Sequence, residues 1–307
     1  MNLLVGATGF IGGHVVEYLF QQNEISKGVF RKGAHLKIMD LNGVQLVEAD
    51  LLDHHSLHEA MEGVDTVYSM ASPMPGSDRD FMRANTEGIS NLLEVAREAK
   101  AKSFVHLSTL DVYGSSPRTV STDSDPRPSN EYQKSKLEAD RLLLESAKRT
   151  DSPRVVIVRA ARAVGPRDSS LTIPLLRMIE EGSAILPSSG KMSFTHPRDV
   201  AEAMYRAATN TKACPSLHLI KSFDAAPEEL VSSLSASLGK ESSVRREGLF
   251  SGSSLPPYTR EQLRARLLLA TQDGWTDLGY APRYDLRTTC EEISQWYKKN
   301  PWATGQD

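Results

Sequence analysis

Cysteine is almost missing from this chain: two residues in 307, Cys214 and Cys290, far apart and without a Cys-x-x-Cys spacing. That scarcity excludes a disulfide scaffold and leads us to expect two free thiols in a reducing compartment. An excess of one charge is missing too. Lys and Arg number 36 against 39 Asp and Glu, for a net charge of -3, so no broad basic surface for nucleic acid is implied. No apolar run approaches the roughly 20 residues of a membrane span, and no basic-flanked apolar leader opens the chain. The expectation is a soluble, cytoplasmic protein that has neither a membrane nor a nucleic acid as partner. Internal repeats and long low-complexity tracts are also absent. The one cluster of metal-ligating type is "DHHSLHEA", where His54 and His58 stand at i,i+4. With no third ligand beyond Glu59, it reads as a solvated helix start, and no metal is expected.

What is present is alternation. Short β-rich runs ("NLLV", "KGVF", "VQLVEA", "DTVYSM", "SFVHLS", "RVVIVRA") are separated by segments with helical apolar spacing, such as "GHVVEYLFQQ" and "KSKLEADRLLLESAKR". Parallel strands need crossover connections, so this pattern predicts an α/β fold, a doubly wound parallel sheet with helices on both faces. After about residue 165 the regularity weakens and proline and glycine become frequent. We therefore expect a dinucleotide-binding domain over 1–165 and a smaller substrate lobe over 166–307, with segments near 193–220 returning to the first domain.

The stretch "GATGFIG", Gly6 to Gly12, joins the first strand to the first helix. Gly6 permits a tight turn, Gly9 lets backbone approach a phosphate, and Gly12 lets the helix pack closely on the strand. Amides at the helix start then face a pyrophosphate. Beyond the second strand, where NAD-binding domains place an acid for the ribose 2′-hydroxyl, stand Arg31 and Lys32. A guanidinium there would pair with a 2′-phosphate, so the sequence favours NADP while leaving NAD possible; a solvated basic pair is the plainer alternative. Asp50 follows the third strand, where its carboxylate can accept from an adenine amino group. Asp53 is the nearer N-cap for the next helix.

"FVHLSTLDVYG" places Ser108 and Thr109 at a strand's C-terminal end, the ligand-binding edge of open parallel sheets. Downstream, "NEYQKSK" sets Tyr132 and Lys136 at i,i+4 on one helix face. Tyrosine is a poor base near neutrality, but an adjacent ammonium stabilises phenolate. Tyr132 would then exchange the proton of an alcohol or carbonyl oxygen held by Thr109 while hydride moves at a nicotinamide.

Taken together these motifs resemble the extended short-chain dehydrogenases/reductases, also called the NAD-dependent epimerase/dehydratase family. The resemblance runs from "GATGFIG" through "ADLLD", "VYSMASP", "VHLSTLDVYG", "YQKSKLEAD" and "SFTHPRDVAEAM" to "LGYAPRYDL". It implies Thr109, Tyr132 and Lys136 as the catalytic group, with Lys136 also bonding the nicotinamide ribose. It adds Phe10, Ile11, Leu51, Ala71 and Ser72 to the cofactor site, and puts Asn85 near the structural core of the active site. Members that dehydrate nucleotide-sugars carry an acidic pair after the catalytic Thr; here Leu110 and Asp111 follow it. Asp111 remains a candidate acid/base or substrate-orienting group. Nucleotide-sugar enzymes also tend to have Asn at the position of Arg162 and a diphosphate-binding arginine at that of Met192. Arg162 is thus a candidate for an anionic substrate group or a structural ion pair, and Lys191 a candidate replacement for the missing arginine. The balance resembles the reductase-like branch of 3β-hydroxysteroid dehydrogenases and dihydroflavonol reductases. The implied activity is interconversion of a secondary alcohol and a carbonyl, with a nucleotide-sugar epimerase retaining its NAD(P) as the alternative. The resemblance also implies a homodimer through "NLLEVAREAK" and "KLEADRLLLESAKR", the second rich in leucine at Leu137, Leu142, Leu143 and Leu144.

Overall fold

A computed structural model describes residues 1–33, 43–72, 77–187, 190–211, 217–248, 253, 255–271, 273–300 and 303. Its first half alternates strand and helix: β1 (Asn2–Val5), α1 (Phe10–Gln21), β2 (Ser26–Phe30), β3 (Val44–Glu48), α2 (His54–Ala60), β4 (Thr66–Ser69), α3 (Asp78–Met82), α4 (Gly88–Glu98), β5 (Ser103–Thr109), β6 (Arg118–Val120), α5 (Glu131–Ser146) and β7 (Arg154–Ala160). The remainder holds β8 (Arg162–Ala163), α6 (Thr172–Glu180), β9 (Ser183–Leu186), β10 (Met192–Thr195), α7 (Pro197–Thr209), β11 (Leu217–Ile220), β12 (Phe223–Ala225), α8 (Pro227–Leu238), β13 (Ser243–Arg246), α9 (Pro257–Ala265), β14 (Leu267–Leu269), α10 (Asp273–Asp277) and α11 (Leu286–Lys299).

Seven parallel strands form the main sheet in the order β11-β7-β5-β4-β1-β2-β3. The chain is therefore a doubly wound Rossmann-like α/β protein. Two apolar layers cover the sheet. Leu3, Val67, Phe104 and Ile157 face the α2–α4–α5 side, while Leu4, Tyr68, Val105 and Val158 face α1 and α7. The alternation of single residues between these layers is the period-2 rule of strands buried on both faces. β11 joins the sheet edge beside β7, and α7 packs on α1, so residues well beyond 165 complete the first layer system.

The lobe has its own core around Leu175, Phe194, Leu230 and Ile293. It hangs on three small sheets: β12-β10-β8, β13-β9 and β14-β6. Because β8 follows β7 directly and β14 pairs with β6 from the loop after β5, the lobe is stitched over the C-terminal edge of the main sheet. That stitching places lobe side chains opposite the strand ends. Cys290 is buried and free, and Cys214 lies outside the described residues. Among the described residues, no helix is long and apolar enough to cross a membrane.

Candidate active site

The turn after β1 is built from contacts only glycine can make. Gly6 adopts φ +95°, and a Cβ there would lie 2.6 Å from the Ala71 nitrogen. At Gly12 a Cβ would fall 1.9 Å from the Gly6 carbonyl oxygen, so helix and strand touch backbone to backbone. Gly9 is the N-cap of α1 and supplies no side chain to its first-turn amides. Those amides are left for an anion. From this turn a cleft of about 680 Å³ runs along the strand ends. Gly6, Gly9, Phe10, Ile11 and Gly12 line one end; Arg31, Asp50, Leu51, Ala71 and Ser72 line its flank; Thr109, Tyr132, Lys136 and Arg162 line the far end. Ser72 Oγ is buried without a hydrogen-bond partner among the described residues. A glycine cradle, uncapped amides and an orphaned hydroxyl along one cleft fit a dinucleotide.

The flank refines two expectations. Arg31 is exposed at the rim, but Lys32 is exposed and does not line the cleft, because successive residues leaving a strand point apart. Asp50 accepts from the Leu52 amide at 2.9 Å through Oδ1, while Asp53 caps α2 through the His55 and Ser56 amides. His54 approaches Glu98 at 3.8 Å and Glu94 on α4, all three exposed.

At the far end, Asn130 caps α5 by accepting from the Gln133 amide at 2.9 Å, which fixes the first turn that carries Tyr132. Lys136 follows one turn later and is only 4% exposed. Its Nζ donates to the Leu107 carbonyl at 2.8 Å and to His106 Nε2 at 3.3 Å. An ammonium only donates, so Nε2 accepts and His106 Nδ1–H donates to Ser69 Oγ at 3.2 Å. Burial and the adjacent Lys136 hold His106 well below its usual pKa, hence neutral. Burial also brings Lys136 down to about 8, with Asp140 opposing. Asn85, in the turn before α4, is fully buried and donates to Ser135 Oγ at 3.1 Å.

Tyr132 has a different set of neighbours from the one its spacing to Lys136 suggests. Its ring meets Phe81 of α3 and Tyr258 of α9 edge to face, with centroids 5.4 and 5.2 Å apart. Burial raises its pKa well above the free value, and the nearby Asp111 raises it further; Tyr258 and Arg162 pull the other way. Lys136 is turned toward the strand, so Asp111 is the charge that Tyr132 feels most.

Asp111 is the second residue of the short turn after β5, Leu110–Tyr113, its amide donating to Thr109 Oγ1 at 3.1 Å. The carboxylate is 7% exposed and accepts from Tyr258 Oη at 3.1 Å and from Gln262 Nε2. Arg162 on β8 donates to Ser170 Oγ at 2.8 Å and lies 3.8 Å from Asp168, whose carboxylate is occupied by the Ser170, Leu171 and Thr172 amides. Lys191 corrects the sequence expectation. It is exposed and outside the cleft, since its strand neighbour Met192 points into the lobe core. Behind the site Asp140 accepts from Ser108 at 2.9 Å and from Arg159 at 2.8 Å, a fully buried ion pair. Sequence reading missed Tyr258, Gln262, His106 and Asp140. Only the Tyr258/Gln262 i,i+4 spacing and the Lys136/Asp140 repeat carried a trace of them.

The family model for the NAD dependent epimerase/dehydratase family matches residues 2–219. The chain is similar to the dTDP-glucose 4,6-dehydratase of Streptomyces niveus, 25% identical over 97% of this chain and 93% of that protein. It is also similar to the sterol-4-alpha-carboxylate 3-dehydrogenase, decarboxylating, of Mus musculus, 26% identical over 56% of this chain and only 48% of that protein's length. The crystal structure of the Bordetella bronchiseptica enzyme WbmH in complex with NAD+ superposes with a TM-score of 0.77, at 21% identity, over 97% of this chain and 98% of that one.

Proposed function

Because the chain belongs to the NAD-dependent epimerase/dehydratase family, we propose that it is an NAD(P)-dependent oxidoreductase that interconverts a secondary alcohol and a carbonyl, with Tyr132 as general acid/base. The observation that carries the reading is the continuity of one cleft from the Gly6–Gly12 turn to Thr109, Tyr132 and Lys136. Gly9, Phe10, Ile11 and Gly12 would hold the pyrophosphate, Asp50 and Leu51 the adenine, and Ala71 and Ser72 the middle of the dinucleotide. Arg31 would meet a 2′-phosphate, which favours NADP. Lys136 has three N–H donors and spends two on Leu107 and His106, leaving one for the nicotinamide ribose. When bound, the nicotinamide supplies a hydride acceptor or donor. Thr109, whose oxygen accepts from the Asp111 amide, would orient a substrate oxygen. Tyr132 moves the proton on that oxygen.

Nucleotide-sugar epimerisation with a retained cofactor is the second reading, favoured by the family, which is named for epimerases and dehydratases. It is weakened by Met192, which faces the core where a diphosphate-binding arginine would be wanted. A homodimer through α4 and α5 is part of the proposal: Leu142 and Leu144 are only partly buried by their own subunit, and light scattering at micromolar concentration tests it. The functional test is a panel of carbonyls and secondary alcohols followed at the nicotinamide absorbance with NADPH and NADH in parallel. Net turnover that disappears in Tyr132→Phe supports the oxidoreductase. Tightly copurifying cofactor without net redox turnover would replace it with the epimerase.

A further inference from the structure

We propose that His106 is a positioning residue for Lys136: its neutral imidazole, fixed by Ser69, keeps the buried ammonium charged and leaves its third N–H to the cleft. The inference rests on the reading of Lys136 as a donor to the nicotinamide ribose and goes beyond it by naming what sets that donor.

The side chains come from three elements. Ser69 and His106 are register partners on the parallel strands β4 and β5, and both are fully buried. By the period-2 rule they share a face with Val67 and Phe104, the apolar layer that α5 covers, so a polar pair is set into an otherwise apolar surface. Burial of that kind is costly unless each group finds a partner. Lys136 Nζ donates to His106 Nε2 at 3.3 Å, and His106 Nδ1–H donates to Ser69 Oγ at 3.2 Å, so both ring nitrogens are engaged. Ser69 thereby holds the ring in the tautomer whose Nε2 lone pair faces the lysine. The adjacent Leu107 carbonyl takes a second N–H of Lys136 at 2.8 Å.

Protonation then decides what is left for a ligand. An ammonium has three N–H donors and keeps one for the cleft that Lys136 lines; a neutral amine has two and spends both on Leu107 and His106. Burial works against the ammonium and brings the lysine down to about 8, whereas an acceptor in contact with it works in its favour. The other charged and titratable groups around Lys136 are Tyr132 and Asp140 on its own helix and Arg159 of β7. Asp140 favours the ammonium, but its carboxylate is shared with Arg159 at 2.8 Å and Ser108 at 2.9 Å. β4 and the turn before α4 add only the neutral Ser69 and Asn85, the latter bonded to Ser135. His106 is held well below its usual pKa by burial and by Lys136, so it stays an acceptor throughout the range in which the lysine titrates.

The experiment reads the Lys136 midpoint directly, by 13C NMR of the lysine-labelled full chain between about pH 6 and 10, the signal being assigned by its loss in Lys136→Met. The wild-type midpoint should lie at about 8. His106→Phe keeps a ring and removes the acceptor, and should lower the midpoint by about one unit or more, the worth of a hydrogen bond to a charged group. His106→Gln removes the ring and keeps an acceptor where Nε2 stands, and should stay within about half a unit of the wild type. A loss of packing alone would not be repaired by the glutamine. If His106→Phe does not fold, Ser69→Ala, which strips Nδ1–H of its acceptor, should still lower the midpoint. A folded His106→Phe with an unmoved midpoint overturns the proposal, as does a His106→Gln midpoint equally low; where His106→Phe does not fold, an unmoved Ser69→Ala overturns it. NADPH separates the proposal from the reading beneath it. Its ribose should give the third N–H an acceptor and raise the wild-type midpoint. A midpoint that NADPH leaves in place counts against the ribose contact, while the comparison of wild type with the variants still decides on His106.

Discussion

Lys136→Met should make the protein more stable at neutral pH while removing its activity, and the size of the gain can be worked from its surroundings. Burial lowers the Lys136 ammonium from 10.5 to about 8. At 1.36 kcal/mol per pKa unit, this corresponds to a cost of roughly 3 kcal/mol for keeping the charge in the fold. Methionine has a similar length and no charge, but it forfeits the hydrogen bonds to Leu107 and His106, each contributing about 1 kcal/mol net. The expected gain at pH 7 is therefore about 1–2 kcal/mol. Its pH dependence has a definite sign. Below about 8 the lysine is charged in both folded and unfolded chains, and the whole cost is present. Between about 8 and 10.5 the unfolded chain binds the extra proton, so wild-type stability rises relative to the variant. Above that range only the lost hydrogen bonds remain and the variant should be the less stable protein, with the curves crossing near pH 9 by this arithmetic. Urea unfolding of both proteins across that range measures the difference. A difference that is negative and independent of pH would mean that Lys136 is solvated or paired in solution, and the argument from its burial would be wrong.

Three further outcomes follow from the same geometry. Arg31→Ala should weaken NADPH binding by about ten-fold, the lower end for a charge-assisted hydrogen bond at an exposed rim, and leave NADH nearly unchanged. Fluorescence titration at low and high salt reads this, and equal losses for both cofactors would end the NADP assignment. Gly12→Ala would drive a Cβ to 1.9 Å from the Gly6 carbonyl and must displace α1 from β1. It should cost about 2 kcal/mol or more of stability and abolish binding of both dinucleotides; retained affinity would show that the glycine turn is not the phosphate cradle. Asp140→Ala leaves the buried Arg159 unpaired and should cost about 3–5 kcal/mol in denaturant unfolding. Adding Arg159→Leu should recover more than half of that loss, and no recovery would show that the pair is not the origin of the cost.

How much of this site could be read from sequence depended on whether neighbours in space are also neighbours on one element. The glycine turn was legible because Gly6, Gly9 and Gly12 meet within one strand-turn-helix unit, and the β-α alternation was legible because each strand is buried on both faces. Tyr132 and Lys136 were legible as a pair on α5, yet their side chains part company: Lys136 turns to the carbonyl of Leu107, Tyr132 toward the lobe. Lys191 was open to a better reading, since the period-2 rule that sends apolar Met192 inward sends Lys191 outward. His106 passes as one more residue of a buried strand, and nothing in "FVHLS" reveals that it accepts from a lysine 30 residues away. Tyr258 and Gln262 lie in a proline-rich, polar stretch without helical apolar spacing, and their partner Asp111 is 147 and 151 residues upstream. The division has a functional consequence. The groups proposed to hold a dinucleotide come from local units and carry sequence signatures, whereas Tyr258 and Gln262, which hydrogen-bond the Asp111 carboxylate beside Tyr132, arrive by packing of the lobe. Substrate choice and proton handling can therefore diverge among proteins with this fold while the glycine turn and the Tyr-Lys pair stay the same, because only a lobe contact has to change.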